Sequence, residues 1–422
     1  MESLNVYFGQ ILTGILSLNT DRSFSYQYDK HWMESQDGFQ LSVSLPMQEA
    51  PITGSHVRAF FANLLPESAV RNRVARSLGL SEKNDFMLLK KMGGDCAGAL
   101  SLLPDGMLPE SPDRYAYRPM SDKQLADAIR QISVRPLLAG EDNIRISLAG
   151  AQEKLALFET DGRFSIPLNN APSNCILKPA MTDFDASIEN ECFCMLLARD
   201  MGLPVPKVTI LLLKGQKALV VQRYDRQTEN GSTVRLHQED FCQAMGLSHE
   251  LKYQAEGGPG FPECFKMIRK YSANPVKDIQ LLLKWVFFNY LIGNMDGHAK
   301  NLSFLYHKRQ IRLAPFYDLI CTEIYEGLTK KAAMKIGNEN RPDWVMERHW
   351  IRMADDIKLS ANVLKKHLAA FCTQLTDIID TTVTGFIREF GENDLIRSIA
   401  DKAGKRAVKT MNLFKPRKKK VQ

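Results

Sequence analysis

The stretch LLKWVFFNYLIGNMDGHAKNLSFLYHKRQIRLAPFYD, residues 282–318, carries the strongest structural signal in this chain of 422 residues. Its first part is apolar except for Lys284 and Asn289, which predicts a buried helix. Residues 302–316 hold two short apolar runs separated by a polar turn, a pattern typical of a β-hairpin. The sequence therefore predicts a helix, a polar loop and a hairpin in direct succession.

The polar loop holds residues suited to phosphoryl transfer. Asp296 and Asn301 lie five positions apart, the spacing of a kinase catalytic loop, in which the Asp receives the hydroxyl proton and the Asn holds Mg²⁺. Asp318 stands at the end of the hairpin, which would return it to Asn301 as a second metal ligand. Asp-Gly alone is more often an ordinary turn. Asp296, Asn301 and Asp318 together, placed by one helix, loop and hairpin, favour a phosphoryl-transfer site over an ordinary turn.

Three upstream features fit the same chemistry, although each is weak alone. Lys178 ends the predicted strand CILKPA, where a kinase places its phosphate-binding Lys, but a solvated strand-end Lys is the ordinary reading. Glu191, on the next predicted helix, is equally compatible with pairing to Lys178 and with a surface position. The turn LAGAQEK, residues 148–154, offers backbone N–H groups to phosphate oxygens.

The rest of the chain predicts an α/β (α+β) protein. Residues 1–60 hold strand-like runs, including FQLSVSLPMQ at 39–48, and residues 55–89 are helical in spacing. A second sheet is expected from RISLAGAQEKLALFE, starting at Arg145, through KALVVQRYDR, interrupted by a helix at 187–201. Helical spacing dominates after Glu239. We expect segments at 1–139, 140–240 and 241–414, followed by a tail at 415–422.

Composition places the chain among ordinary soluble globular proteins, with 44% apolar and 24% charged residues. Eight scattered cysteines without metal-ligand spacing predict a reduced, cytoplasmic protein. The most apolar stretch, Leu281–Met295, is interrupted by Lys284 and Asn289, so no membrane span is expected.

The net charge of +7 is concentrated at the C-terminus. Residues 402–422 hold nine basic side chains and no acidic one, which leaves 46 basic against 48 acidic residues in the remainder. We expect KPRKKKVQ, residues 415–422, to be a solvated tail, with a contact to nucleic acid or to a partner as the alternative.

Several motifs, in this order, resemble the HipA serine/threonine kinase toxins of bacterial toxin–antitoxin systems. The motifs are RISLAGAQEKLAL, LKPA, IENECFCMLLAR, VQRYDR, HQEDFCQAMG, GGPG, NMDGHAKN and APFYDL. The stretches VSLPMQ, ANLLPES and GGDCAGALSLLP are similar to the family's N-terminal coupling domain. The resemblance implies that domain followed by a kinase-like bilobal unit, with a small sheet lobe and an all-helical C-terminal lobe.

The resemblance also implies roles for individual residues. Asp296 would be the catalytic base, with Asn301 and Asp318 holding Mg²⁺, and Ser147 would be an autophosphorylated serine. The ATP contacts would come from Gly150, Ala151, Gln152, Lys154, Lys178, Gln222, Tyr224, Gln238, His298 and Tyr317. Gln222 departs from the family, in which a hinge Glu is familiar, but the main chain performs the hinge contact.

The activity implied is transfer of the ATP γ-phosphoryl group to a protein serine. The implied target is an aminoacyl-tRNA synthetase such as glutamyl-tRNA synthetase, with growth arrest as the result. The expected partner is a HipB-like helix-turn-helix antitoxin that restrains the kinase and binds operator DNA, so that the link to DNA is indirect. Two alternatives remain, a small-molecule phosphotransferase of the aminoglycoside kinase type and a non-catalytic co-repressor subunit.

Overall fold

The expected mixed α/β (α+β) class is confirmed by a computed structural model, which describes residues 2–132, 136–139, 144–229, 231–307 and 309–414. The strands are β1 Glu2–Phe8, β2 Ile11–Leu18, β3 Phe24–Tyr28, β4 Ile52–Thr53, β5 Leu100–Pro104, β6 Ala116–Pro119, β7 Leu155–Thr160, β8 Arg163–Leu168, β9 Cys175–Pro179, β10 Val208–Leu213, β11 Gln216–Gln222, β12 Arg226–Glu229, β13 Ser232–Arg235, β14 His237–Asp240, β15 Ser303–His307 and β16 Gln310–Leu313. The helices are α1 Lys30–Glu34, α2 Ser55–Ala62, α3 Ser68–Ser77, α4 Asp85–Met92, α5 Asp122–Gln131, α6 Ser187–Asp200, α7 Phe241–Ala244, α8 Phe261–Tyr271, α9 Pro275–Ile292, α10 Glu347–Asp356, α11 Ala361–Phe390 and α12 Asp394–Leu413.

The chain forms two compact units, each discontinuous in sequence. The sheet unit comprises Met1–Ile188, Pro206–Lys252 and Leu302–Ala314. The helical unit comprises Glu189–Val205, Tyr253–Asn301 and Pro315–Gln422. The segment boundaries expected from the sequence stay predictions, and the basic tail at 415–422 lies outside the described residues.

Antiparallel sheets build the sheet unit. One has five strands in the order β4-β3-β2-β1-β5, and another has six in the order β10-β11-β9-β7-β8-β6. A three-stranded sheet, β14-β15-β16, contains the predicted hairpin, and β12 pairs with β13. Leu155, Leu157 and Leu177 are almost fully buried in the core of the six-stranded sheet, as expected for alternating apolar strands.

One predicted strand is absent from the described structure, and another begins later than expected. Residues 39–48 form a loop in which Ser42 and Leu45 make an isolated bridge. Their polar groups bond to side chains instead of to a neighbouring strand: Leu41 N donates to the Tyr28 hydroxyl at 2.8 Å, and Val43 N donates to Glu239 Oε1 at 3.1 Å. The strand expected from Arg145 begins at Leu155, because residues 145–154 form the loop described below.

The helical unit places the catalytic-loop candidate at the end of its central helix. Asn274 caps α9 by accepting a hydrogen bond from Lys277 N, and Pro275 occupies the first turn. Gly293 ends the helix with a φ of +78°, a conformation that favours glycine. Trp285, Phe287 and Phe288 of α9 are buried. In the described part of the chain, no helix is long and apolar enough to cross a membrane.

Candidate active site

The loop after α9 is held by a chain of side-chain hydrogen bonds. Asn289 Nδ2 donates to Trp285 O at 2.8 Å, and Asn294 Nδ2 donates to Asn289 Oδ1 at 2.6 Å. Asn294 Oδ1 in turn accepts from Asp296 N at 3.0 Å. Met295 N donates to Thr322 Oγ1 at 2.7 Å. The buried helix therefore fixes the backbone of the loop.

Asp296 presents its side chain to solvent, whereas its neighbours on both sides are buried. Tyr253 donates its hydroxyl to Asp296 Oδ1 at 2.6 Å. Tyr253 thus holds one of the two carboxylate oxygens of Asp296. An exposed carboxylate on a rigid loop, oriented by a neighbouring donor, is suited to accept a proton from a substrate.

The predicted metal ligands lie close together. Asn301 Nδ2 is 3.4 Å from Asp318 Oδ2, and Asn301 Oδ1 accepts from His298 N at 3.0 Å. His298 is buried and packs edge-on against Tyr253, with ring centroids 5.2 Å apart. Tyr317 donates its hydroxyl to Lys300 O at 2.7 Å. The helical unit thus gathers Asp296, His298 and Asn301 on one loop and brings Asp318 to its end.

Asn301 and Asp318 are residue types that can hold Mg²⁺, through an amide oxygen and a carboxylate oxygen. In this structure Asn301 turns its amide nitrogen towards Asp318, and its Oδ1 accepts from His298 N, so a bound ion would take the place of the contact between the two side chains. Carboxylate and amide oxygens are the ligands this hard cation prefers, with phosphate and water oxygens completing its octahedron. Asp318 has a φ of +53°, a left-handed conformation that is uncommon for a non-glycine residue. Such backbone strain is frequent at functional sites and is consistent with a carboxylate held for a ligand.

In the sheet unit, the 145–154 loop holds Ser147, Gly150 and Lys154. Ser147 is fully buried and its hydroxyl donates to Leu64 O at 2.7 Å. Gly150 has a φ of +108°, and a Cβ atom built there would lie 2.7 Å from Lys154 Nζ. Lys154 Nζ donates to Ala149 O at 2.6 Å. Its ammonium group therefore lies over the Gly150 backbone, while Ala151 is exposed and Gln152 half-buried.

The other predicted nucleotide contacts also lie in the sheet unit. Lys178 is buried on β9 and pairs in register with Leu219 of β11. Gln222 is exposed at the end of β11. The Tyr224 hydroxyl donates to Gln238 Oε1, so these two predicted ATP contacts meet. Glu191, whose role the sequence left open, is buried in the part of α6 that belongs to the helical unit.

Sequence reasoning missed residues that hold the site. Tyr253 lies 43 positions before Asp296, and no spacing pattern links the two. Asn289, an amide on the buried helix, and Asn294, two positions past its end, stand inside the quoted stretch; the amide on a buried helix was the available signal. Asp95, discussed below, contacts the 145–154 loop from the N-terminal segment.

Comparisons with known proteins agree with these motifs. The model of the HipA N-terminal domain matches residues 4–103, and that of the HipA-like C-terminal domain matches residues 146–379. The putative kinase Y4mE of Sinorhizobium fredii is 37% identical over 390 residues, 91% of this chain and 91% of that protein. The serine/threonine-protein kinase toxin HipA of Shewanella oneidensis is 31% identical over 392 residues, 89% of this chain and 88% of that protein.

The fold agrees as well. A chain from a solved complex of HipA, HipB and operator DNA from Shewanella oneidensis MR-1 superposes with a TM-score of 0.86 and 28% identity. The superposition covers 97% of this chain and 98% of that one. Because two family models match and the sequence identity extends over most of the chain, the protein belongs to the HipA family.

Proposed function

We propose that the chain is an ATP-dependent serine/threonine-protein kinase of the toxin class. The observation that carries the proposal is the exposed Asp296 carboxylate, bonded to Tyr253 and followed on the same loop by Asn301, which faces Asp318. Relatives named as kinases support the assignment. The runner-up, a non-catalytic co-repressor, would have no need for an oriented carboxylate at this position.

In the proposed mechanism, Asp296 Oδ2 accepts the proton of the substrate hydroxyl while Tyr253 keeps the carboxylate in a fixed orientation. Asn301 and Asp318 would hold Mg²⁺, which neutralises charge on the phosphates when bound. Residues of the sheet unit would bind the nucleotide. We assign the phosphates to the 145–154 loop with Lys154 and Lys178, and adenine to Gln222, Tyr224 and Gln238. His298 and Tyr317 are assigned to the nucleotide as well.

Ser147 is proposed as an autophosphorylation site. Its hydroxyl is buried and donates to a carbonyl oxygen, so the loop must leave its present position before the hydroxyl can react. A phosphate on Ser147 would add roughly −1.5 to −2 charges and could not replace that hydrogen bond. Phosphorylation is therefore proposed to switch the kinase off.

The proposed protein target is an aminoacyl-tRNA synthetase such as glutamyl-tRNA synthetase, phosphorylated on a serine. The proposed partner is a HipB-like helix-turn-helix antitoxin, through which operator DNA is contacted indirectly. The structural relative that contains HipA, HipB and operator DNA supports the antitoxin and the DNA link. Support for the target class comes from the family resemblance alone.

The test is phosphoryl transfer by the wild type, Asp296→Asn and Asp318→Asn, each incubated with Mg²⁺, labelled ATP and a cell lysate. With Asp296→Asn and Asp318→Asn we expect no labelled protein bands. Their melting temperatures should stay within about 3 °C of the wild type, because each change replaces a carboxylate by an amide of nearly the same size. Asp318→Asn should also lose Mg²⁺-dependent ATP affinity by calorimetry. Asp356→Asn, an exposed change on α10, is the matched control.

Other outcomes identify other functions. Transfer by Asp296→Asn at the wild-type rate would remove Asp296 from the mechanism. Label found only in a small-molecule fraction would indicate the small-molecule phosphotransferase. Absence of transfer to protein and to small molecules, with full antitoxin binding, would favour the co-repressor.

A further inference from the structure

Asp95, in the N-terminal segment GGDCAG, binds the 145–154 loop through its main chain. Asp95 N donates to Arg145 O at 2.8 Å, and Ser147 N donates to Asp95 O at 3.0 Å, forming a parallel bridge at Ile146. Gly94 permits this approach, because a Cβ atom there would lie 2.7 Å from Arg145 O. The first residues of the loop are thus attached to the N-terminal segment by backbone hydrogen bonds.

The Asp95 carboxylate binds a different part of the sheet unit. Ser173 donates its backbone N–H at 3.0 Å and its hydroxyl at 2.6 Å to Oδ2. Arg226 donates to Oδ1 at 2.7 Å and Arg235 at 3.1 Å, while Arg223 approaches Oδ2 at 3.4 Å. Two of these arginines belong to residues 222–226, the segment at the end of β11 that holds Gln222 and Tyr224.

The aspartates and arginines of this network are buried and pair with one another. The side chains of Arg223 and Arg226 are 2% exposed, and that of Asp95 is 1% exposed. Asp225 neutralises the same arginines and accepts a hydrogen bond from Gly98 N at 2.7 Å, so the N-terminal segment contacts the 222–226 segment a second time. Burial opposes ionisation of Asp95, but Arg226, Arg235 and Arg223 hold its pKa well below the usual range.

A buried charge network of this kind adds little net stability, since desolvation offsets the attraction between its charges. The network instead restricts the relative positions of the segments that carry it, because each arginine must reach an acceptor that is itself held in place. Asp95 joins, in one residue, the start of the 145–154 loop and the end of β11. The loop itself has small residues and a left-handed glycine, and therefore little intrinsic preference for one conformation.

We propose that Asp95 is a positioning residue that keeps the 145–154 loop in a fixed position relative to the 222–226 segment. Through Asp95, the HipA N-terminal domain would then contribute to nucleotide binding. The proposal rests on the proposed function, because ATP is the ligand those two segments are assigned to bind. Leu64 and Glu67 of the same domain assist, since Leu64 O accepts from Ser147 Oγ and Glu67 N donates to Gly150 O at 3.1 Å.

The experiment compares Asp95→Asn, Arg235→Gln and Ser173→Ala with the wild type. Arg235→Gln leaves two arginines facing Asp95 and Asp225, a balanced network that is expected to fold. Asp85→Asn is the matched control, because Asp85 is another buried aspartate of the N-terminal domain that pairs with two arginines, Arg58 and Arg71. Hydrogen exchange of amides 145–154 and steady-state kinetics with ATP are measured for every variant.

Loosening the network should speed exchange in the loop about tenfold and raise the KM for ATP about three- to tenfold, with kcat within about twofold. Asp85→Asn should lower the melting temperature without either effect. Unchanged loop exchange and unchanged KM in a folded Arg235→Gln or Ser173→Ala protein would overturn the proposal. If no form transfers phosphate, the proposed function fails, and faster loop exchange still supports the positioning role of Asp95.

Discussion

At the scale of single residues, Tyr253 is the group that turns Asp296 from an ordinary turn residue into an oriented carboxylate. Asp296 lies in an Asp-Gly pair, and many such pairs on protein surfaces have no chemical role. Its backbone is fixed by Asn294 and one carboxylate oxygen by the Tyr253 hydroxyl. Tyr253 also packs against His298, so that the same side chain contacts both ends of the Asp-Gly-His segment.

Removing only the Tyr253 hydroxyl should slow the chemical step. Tyr253→Phe keeps the ring that packs on His298 but loses the hydrogen bond to Asp296, so the carboxylate samples unproductive orientations. We expect kcat to fall about tenfold with the KM for ATP changed less than about twofold, and an unaltered melting temperature. A KM effect without a kcat effect, measured by initial rates over a range of ATP concentrations, would assign Tyr253 to binding instead.

At the scale of secondary structure elements, β14 carries two buried side chains whose pKa values shift in opposite directions. His237 Nε2 bonds to Leu41 O at 2.7 Å, while Glu239 accepts from Val43 N, from Ser42 Oγ and from the Tyr306 hydroxyl. Burial raises the pKa of Glu239 to about 7, despite those hydrogen bonds, and burial lowers the pKa of His237 to about 4. Between about pH 4.5 and pH 6.5, folding therefore protonates the glutamate and deprotonates the histidine.

The two shifts cancel between the unfolded pKa values of 4.5 for glutamate and 6.5 for histidine, because folded and unfolded chains then bind equal numbers of protons at this pair. Glu239→Gln removes the glutamate's contribution, which is present at low pH and is lost as pH rises. The histidine's contribution remains, so the variant's unfolding free energy should rise by about 2 kcal/mol from about pH 5 to about pH 6.5 relative to wild type.

Thermal unfolding of both proteins at the two pH values measures this difference. Glu49→Gln, which removes an exposed carboxylate next to the 39–48 loop, serves as the control. Its unfolding free energy should have the same pH dependence as that of the wild type. Parallel pH dependences for Glu239→Gln and wild type would show that Glu239 is ionised in the folded protein.

The 145–154 loop is the second element with a testable property. Ser147 is buried and donates to Leu64 O, an arrangement that a phosphoserine, with acceptor oxygens only, would break. The phosphorylated protein should therefore bind ATP at least about tenfold more weakly than the unmodified form, and Ser147→Ala should remain unmodified with near wild-type affinity. Calorimetry on the separated forms, with peptide mass mapping, decides this. Equal affinities, or phosphate found only elsewhere, would reject the switch.

At the scale of the whole molecule, what could be predicted from the sequence depends on how far apart the interacting residues lie along the chain. The α9 helix and the 303–313 hairpin were predictable because each is a local pattern of roughly 10 to 20 residues. Asn301 and Asp318 meet because the hairpin between them is short.

Contacts between distant segments left no comparable signal. Asp95 meets Arg223, Arg226 and Arg235 across more than a hundred residues, and a buried charge looks the same in a sequence as a surface one. Residues 39–48 alternate like a strand, yet Glu239 and Tyr28 take the polar groups a neighbouring strand would need. The nine basic residues at 402–422 do not all share one environment, because Arg406 is buried on α12 and paired with Glu323.

The tail at residues 415–422 holds five basic residues, and the proposed complex with antitoxin and operator DNA gives them a testable role. KPRKKKVQ contains one aliphatic residue and five positive charges, too little apolar surface to support packing on the core. Deleting it should leave phosphoryl transfer unchanged.

If the tail contacts operator phosphates, each lost contact lowers the slope of log K against log salt by about one, so the deletion should reduce the slope by up to about five. Fluorescence anisotropy of labelled operator DNA with the antitoxin complex, across a salt series, measures this slope. An unchanged slope would show that the tail does not contact DNA, and a loss of phosphoryl transfer would show that it packs on the catalytic part of the chain.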